Sequence, residues 1–320
     1  MSLFKAVIWG CTGSIATPLT SDELQHRLWE ILLRASEVKL TNRDEIGCFI
    51  NELPFYLKGT YHGNTPCMQI QNHTDNNLII FDAGSGIREL GARLAHTLTP
   101  DHHIHLFLSH LHWDHIQGFP FFTPIFQKTT RMTIYGGHSN LEDSFRQQQN
   151  SHNFPVAFDK LPAEIDFVQI NPEEHYKIGN YQIDLIRVPH PGGCFSYRIT
   201  MNNKSIVYAT DLEFRDFSDK TLRPFFDFFK EAEYLIYDSM YTVPEYVIKE
   251  DWGHSSAIIG VDVALKSNVK CLVIFHHEPS YSDKKIHEIH HSAINYLQLR
   301  APGNNLKVIT AYDGQVLDVN

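Results

Sequence analysis

Four side chains of metal-ligand type, His110, His112, Asp114 and His115, fall within six residues directly behind the apolar run at 104–108. A short β-branched and aromatic run that ends in polar residues reads as a strand leaving a sheet. Side chains alternate along a strand, so His110 and His112 leave its end on the same side. Asp114 and His115 come from the turn beyond. Ligands packed this densely can serve two adjacent cations, which a single structural zinc site does not need. A histidine-rich surface turn is the plain alternative, and the rest of the chain argues against it. His190 in RVPHPGG, Asp211 in IVYATDLE and His276 in LVIFHHEP each follow an apolar run and precede a turn. Such a chain has to bring several strand ends to one rim.

The periodicity supports that requirement. Strands are expected at 5–9, 78–81, 104–108, 132–135, 205–208, 234–237 and 271–275, several of them nearly continuous apolar runs suited to a sheet covered on both faces. Helical spacing marks 22–39, 86–98, 141–149, 221–232, 255–267 and 283–299. Alternation of this kind makes an α/β protein. No internal repeat or Pro/Gly/Ser linker interrupts it, so one domain is expected over 1–320, with 20–58 as a helical insertion.

Charge narrows the partners. Lys and Arg number 27 against 37 Asp and Glu, a formal net charge of −10. Proteins that grip polyanions usually show the opposite bias, so neither long nucleic acid nor an anionic membrane is expected. The five cysteines form no C-x-x-C pair, and the start has no sustained apolar segment of a signal peptide. No run approaches the ~18 apolar residues of a membrane helix. A cytoplasmic protein with reduced thiols is expected.

The order H-x-H-x-D-H, then a distant His, Asp and His, resembles the metallo-β-lactamase superfamily, and the likeness runs from WGCTGS to FHHEP. It implies a four-layer αββα sandwich with two divalent metal ions at one edge, Zn²⁺ first, with Mn²⁺ or Fe as alternatives. By this resemblance the first metal takes His110, His112 and His190. The second takes Asp114, His115 and His276, and Asp211 bridges. Asp82 in IIFDAGSG matches the family's preceding Asp and would brace the metal loop through hydrogen bonds. His277 would either support the ligand beside it or face substrate.

LIYDSMYT and DWGHSSA resemble the Glu-and-His pair of tRNase Z-like phosphodiesterases, with Asp238 in place of the Glu and His254 as its partner, both expected to be catalytic alongside Asp114; the alternative is that Asp238 caps a turn and His254 caps the 255–267 helix. A carboxylate orients an imidazole, which then holds a phosphoryl oxygen or protonates the leaving alkoxide. GCTGSIATP, HGNTPC, HWDHIQGFPFF, HPGGCFSYRI, WGHSS and FHHEP together resemble a group that includes the anti-Pycsar cyclic nucleotide phosphodiesterases. That implies hydrolysis of a 3′,5′-cyclic nucleotide, a small-molecule phosphodiester, by a hydroxide bridging the two metals, in a homodimer. An RNA-processing nuclease of the tRNase Z type, or a lactone or thioester hydrolase, is the alternative. Against the nuclease, residues 116–189 hold six Lys/Arg and eight Asp/Glu rather than the basic arm with which tRNase Z holds tRNA.

Two patterns are set aside. His287-Glu288-Ile289-His290-His291 fits H-E-x-x-H, yet no third ligand follows, so a solvated helix face is expected. The phenylalanines at 225, 226, 228 and 229 read as a helix stripe packed inward. His152 has no decisive reading.

Overall fold

In the computed structural model, which describes residues 3–71 and 76–320, the apolar runs build two seven-stranded sheets. The first takes β1 (Phe4–Gly10), β2 (Cys67–Gln71), β3 (Asn77–Phe81), β4 (His103–Leu108), β5 (Arg131–Gly136) and β6 (Glu164–Gln169). The second takes β7 (Tyr176–Ile178), β8 (Tyr181–Val188), β9 (Cys194–Met201), β10 (Lys204–Ala209), β11 (Tyr234–Asp238), β12 (Cys271–Phe275) and β13 (Lys307–Thr310). The last strand, β14 (Val316–Val319), returns to pair with β1. Each sheet is antiparallel over its first strands and parallel from β3 to β6 or from β10 to β13.

Alternation decides which side chains meet. Ile79, Phe81 and Phe107 point between the sheets, against Tyr197, Ile206, Tyr208 and Phe275 of the second sheet. Ile80, Leu106 and Ile134 point outward, where helix Gly86–Leu94 covers them with Ile87 and Leu90. On the other side Val207, Leu235 and Leu272 are covered by helices Asp219–Phe229, Ala257–Lys266 and Asp283–Arg300. This is the expected αββα sandwich, and it explains why the inner parallel strands β3 to β5 and β10 to β12 read as nearly unbroken apolar runs. Each ring buried in the middle layer contributes roughly 2–3 kcal/mol.

Tyrosines carry this core to the rim. Tyr197 packs on Phe81 at 5.3 Å and donates its hydroxyl to the Leu108 carbonyl, 2.6 Å away, at the end of β4. Tyr208 packs on Phe81 at 5.8 Å and donates to the Asp82 carboxylate at 2.9 Å. A phenolic hydroxyl wants a partner when buried, so each tyrosine fixes one strand end of the opposite sheet.

Several boundaries differ from the periodicity. The 22–39 helix is α1 (Ser21–Ser36), started by a capping box of Thr20 and Glu23, and α2 (Arg43–Glu52) follows it behind an Asn42 cap. The helix expected over 86–98 stops at Leu94, and the one expected over 221–232 runs Asp219–Phe229 from a Ser218 cap. Strands β2, β6 to β9, β13 and β14 were not anticipated. β8 shows why: its side chains alternate buried and exposed, so Gln182, Asp184 and Arg187 dilute the apolar signal.

Backbone crowding above β3 makes a test. A Cβ on Gly84 would come within 2.3 Å of the Asp114 carbonyl oxygen and 2.6 Å of the Pro66 carbonyl oxygen. Neither is a flexible side-chain end. Gly84→Ala is expected to cost about 2–3 kcal/mol, read as a lower urea midpoint with an unchanged m-value.

Candidate metal centre

Every expected ligand lies just beyond the carboxyl end of a strand, Asp114 and His115 on the single helical turn Trp113–Ile116 and the others on loops. The cluster 110–115 follows β4, His190 follows β8, Asp211 follows β10 and His276 follows β12. Asp82, Asp211 and His276 share a backbone device, with φ of 58°, 53° and 63° just past their strands. A left-handed residue turns the chain sharply and lets one side chain point across the rim. For residues with a Cβ this conformation is sparsely populated, at a cost of about 1–3 kcal/mol, and it persists where surrounding contacts over-determine it.

The side chains gather in two adjoining groups. His110, His112 and His190 offer nitrogens that all lie within 4.8 Å of one another, and Asp114, His115, Asp211 and His276 do the same. Asp211 stands between the groups. Its Oδ1 lies 3.7 Å from His110 Nε2 and 3.9 Å from His190 Nε2, while its Oδ2 lies 3.1 Å from His115 Nε2 and 3.3 Å from His276 Nε2. Asp114 Oδ2 is 3.3 Å from His115 Nε2 and 3.2 Å from His276 Nε2. The backbone N–H of Ser14 donates to the same Asp114 oxygen at 2.8 Å.

The donor set fits divalent cations. His110 Nε2 is buried without a hydrogen-bond partner, which is costly for a polar atom unless something else binds it. Burial first, then the neighbouring His115, holds the His110 imidazole well below its usual pKa, and burial lowers His112 and His190 as well. Neutral imidazole is the ligating form. Burial works to raise Asp114 and Asp211, yet the surrounding imidazoles hold both carboxyls below the usual range. Burial likewise opposes charge on His115, but Asp114, Asp211 and Asp82 raise it well above its usual value. Three carboxylates around one imidazole make a buried site that calls for positive charge.

Behind the ligands, Asp82 accepts hydrogen bonds from Ser109 N, Ser109 Oγ and Tyr208 and also bonds His115 Nδ1, all at 2.7–2.9 Å. Beside them, Asp238 Oδ2 takes His254 Nδ1 at 2.8 Å, and Oδ1 takes the backbone N–H of Met240 and Ser255. The His254 ring stacks on His276 at 4.9 Å, with Nδ1 3.8 Å from Asp211 Oδ1. Burial resists its charging, but the Asp238 charge and hydrogen bond raise its pKa to about 9.

Of the two readings for His277, the structure favours support. Its ring is buried, Nε2 bonds the Ala311 carbonyl at 2.9 Å, and burial pushes its pKa down to about 3. Its backbone bonds Cys11 and Gly13, holding the loop that packs against His276. His287 and His290 correct the solvated-face reading. They are half-buried, bonded through Nδ1 to Tyr61 and Thr310, because their helix packs on the 55–61 segment and β13. Among the described residues, neither joins a cluster of three ligand-type groups. The helix phenylalanines pack in the outer core, and His152 is exposed. The roles of Ser109, just past β4, and of Tyr208, on β10, are not legible in the sequence, since a lone hydroxyl carries no spacing signal.

Comparison with known proteins agrees with this geometry. The family model described as "Beta-lactamase superfamily domain" matches residues 77–277. A ribonuclease Z of Picrophilus torridus is 25% identical over 265 residues, covering 68% of this chain and 81% of that protein. Among solved structures, unliganded yeast PDE1 superposes with a TM-score of 0.64 at 13% identity, covering all of both chains. The short form of human tRNase Z gives 0.57 at 16% identity, covering 99% of each. The chain belongs to the beta-lactamase superfamily and is a hydrolase.

Proposed function

We propose that the protein hydrolyses small cyclic phosphodiesters, 3′,5′-cyclic nucleotides first, in the cytoplasm. The observation that carries the reading is the Asp238–His254 pair set against the Asp211 cluster. Two divalent cations bound there, Zn²⁺ first, supply Lewis-acid polarisation of a phosphoryl oxygen and a water that ionises near neutral pH. His110, His112 and His190 would hold one cation, Asp114, His115 and His276 the other, and Asp211 would contact both. Asp82 keeps His115 Nδ1 engaged, so that Nε2 faces the cluster. Asp238 does the same for His254, whose Nε2 has no protein partner among the described residues and is placed to donate a proton to the leaving 3′ oxygen.

Two features favour a small substrate over tRNA. Residues 116–189 fold into β5 to β8 and the helices between them rather than a projecting basic arm, and they carry more acid than base. The likeness to ribonuclease Z supports the second reading, 3′ processing of RNA, which the same assay resolves.

The expected partner is a second copy of the chain, seated on α1 and α2. Neither helix buries a residue, and Leu24, Leu28, Trp29, Leu32, Leu33, Val38, Ile46 and Ile50 are 43–67% exposed. Clustered exposed apolar side chains of this kind mark interaction surfaces rather than ordinary monomer surface. A membrane fits less well, because α1 and α2 mix Arg27, Arg34 and Arg43 with Asp22, Glu23, Glu30, Asp44, Glu45 and Glu52, whereas membrane-surface helices are basic.

Purified protein assayed with 3′,5′-cyclic mononucleotides and a precursor tRNA is expected to turn over the former. Turnover of the tRNA alone would establish the nuclease. About two equivalents of metal per chain are expected by elemental analysis, falling to about one in His112→Ala, and chelation should lower Tm reversibly. His254→Ala should keep its metal and lose about 10²–10⁴-fold in kcat. Light scattering should give a dimer mass that Trp29→Glu/Leu32→Glu reduces to a monomer while the circular dichroism is preserved.

A further inference from the structure

We propose that Glu213, two residues beyond Asp211, is a positioning residue that sets the orientation of both His190 and His254. Its side chain is 6% exposed, and its carboxylate accepts the backbone N–H of Gly253 at 2.8 Å and of Asp251 at 3.2 Å. The Arg215 guanidinium lies 3.5 Å away and also pairs with Asp251. Its own backbone N–H donates to the Pro189 carbonyl at 2.9 Å. One residue therefore closes three loops onto each other: 189–191, 211–215 and 251–254.

The consequence reaches the ligands through Gly253. At this residue φ is +86°, and a Cβ would stand 2.2 Å from His190 Nδ1 and 2.5 Å from the Pro191 ring, so the turn lies flush on the imidazole. The Gly253 carbonyl takes the His190 Nδ1 proton at 2.9 Å, which leaves Nε2 to face His112 and Asp211. His254 is the next residue, and the turn enters it from Gly253, where Glu213 holds the backbone. Asp238 orients the His254 ring from one side; Glu213 sets where its backbone stands from the other. A buried carboxylate is expensive to keep unless charge-assisted hydrogen bonds offset the lost hydration, and here the bonds go to the one turn that touches both histidines.

The inference rests on the two-metal phosphodiesterase reading, and metal binding tests it separately from substrate. Glu213→Gln keeps the shape but turns an amide NH₂ toward one of the two N–H groups; Glu213→Ala removes both acceptors. Chelator competition and the visible spectrum of the Co²⁺-loaded protein are measured for both, with kcat and KM on the best diester found. Expected are a loss of about 10–100-fold in affinity for one of the two metals, an altered Co²⁺ spectrum, and a similar fall in kcat with KM within about twofold. The surface change Leu299→Ala should leave all three unchanged. If Glu213→Ala does not fold, the isosteric Glu213→Gln carries the test. Wild-type affinity, spectrum and kcat in Glu213→Gln would overturn the proposal. So would losses that vanish once the variant is cooled to where it is fully folded. If the wild type cleaves no diester, the functional reading fails while affinity and spectrum still decide the role of Glu213.

Discussion

The Asp82 carboxylate is the contact on which the centre depends. It lies at the end of β3, yet its bonds go to Ser109 beyond β4, to His115 in the ligand loop and to Tyr208 of the other sheet. One buried anion thereby fixes the distance between two strand ends, the tautomer of a ligand and the approach of the two sheets. With four bonds engaged, such a group costs little to bury; losing one partner would leave a charge in an apolar surround. Positive φ at Asp82 is part of the arrangement, because an extended residue there would alternate from Phe81 and point its side chain to the outer, helix-covered face instead of across the rim.

The parallel halves of the sheets explain why one device recurs. Phe81 pairs with Phe107 and Asp238 with Phe275, so neighbouring parallel strands end together. Open parallel sheets concentrate their ligand-binding loops at these carboxyl ends. Side chains far apart in sequence then need only a sharp turn to meet, which Asp82, Asp211 and His276 each make. The antiparallel halves close the sandwich and deliver Tyr197 to the same rim.

What could be read from the sequence follows from this division. The inner parallel strands, β3 to β5 and β10 to β12, are covered on both faces and announce themselves as apolar runs, whereas the edge strands β6 and β13 do not; ligands placed straight after the inner runs stand out by type and spacing. His110 to His115 are legible because they share one loop. His190, Asp211 and His276 are legible only in company with them. Strands such as β8 are half-exposed, so their polar residues mask them. Glu213 is hidden for a different reason: its partners are backbone N–H groups of Asp251 and Gly253, and no residue type at those positions announces a bond to a distant carboxylate. The histidines at 287 and 290 mislead in the opposite direction, since a suggestive spacing on a helix serves packing against Tyr61 and Thr310.

Burial within the cluster decides how a substrate can reach it. Asp114, His115, Asp211, His276 and His110 are buried and the His190 side chain is only 1% exposed, whereas His112 is exposed. The open side of the centre, and the approach to it, is therefore that of His112, and the second group lies behind it. The His254 ring stands 5.5 Å from His190 on that approach and stacks on His276 behind it, so it spans the open and the closed side of the centre. On the proposed function, a phosphodiester entering this way would meet His112 first and have His254 alongside. On that reading the Asp238 carboxylate fixes the His254 ring where a proton donor to a leaving oxygen would have to stand, as Asp82 fixes the His115 ring toward the cluster.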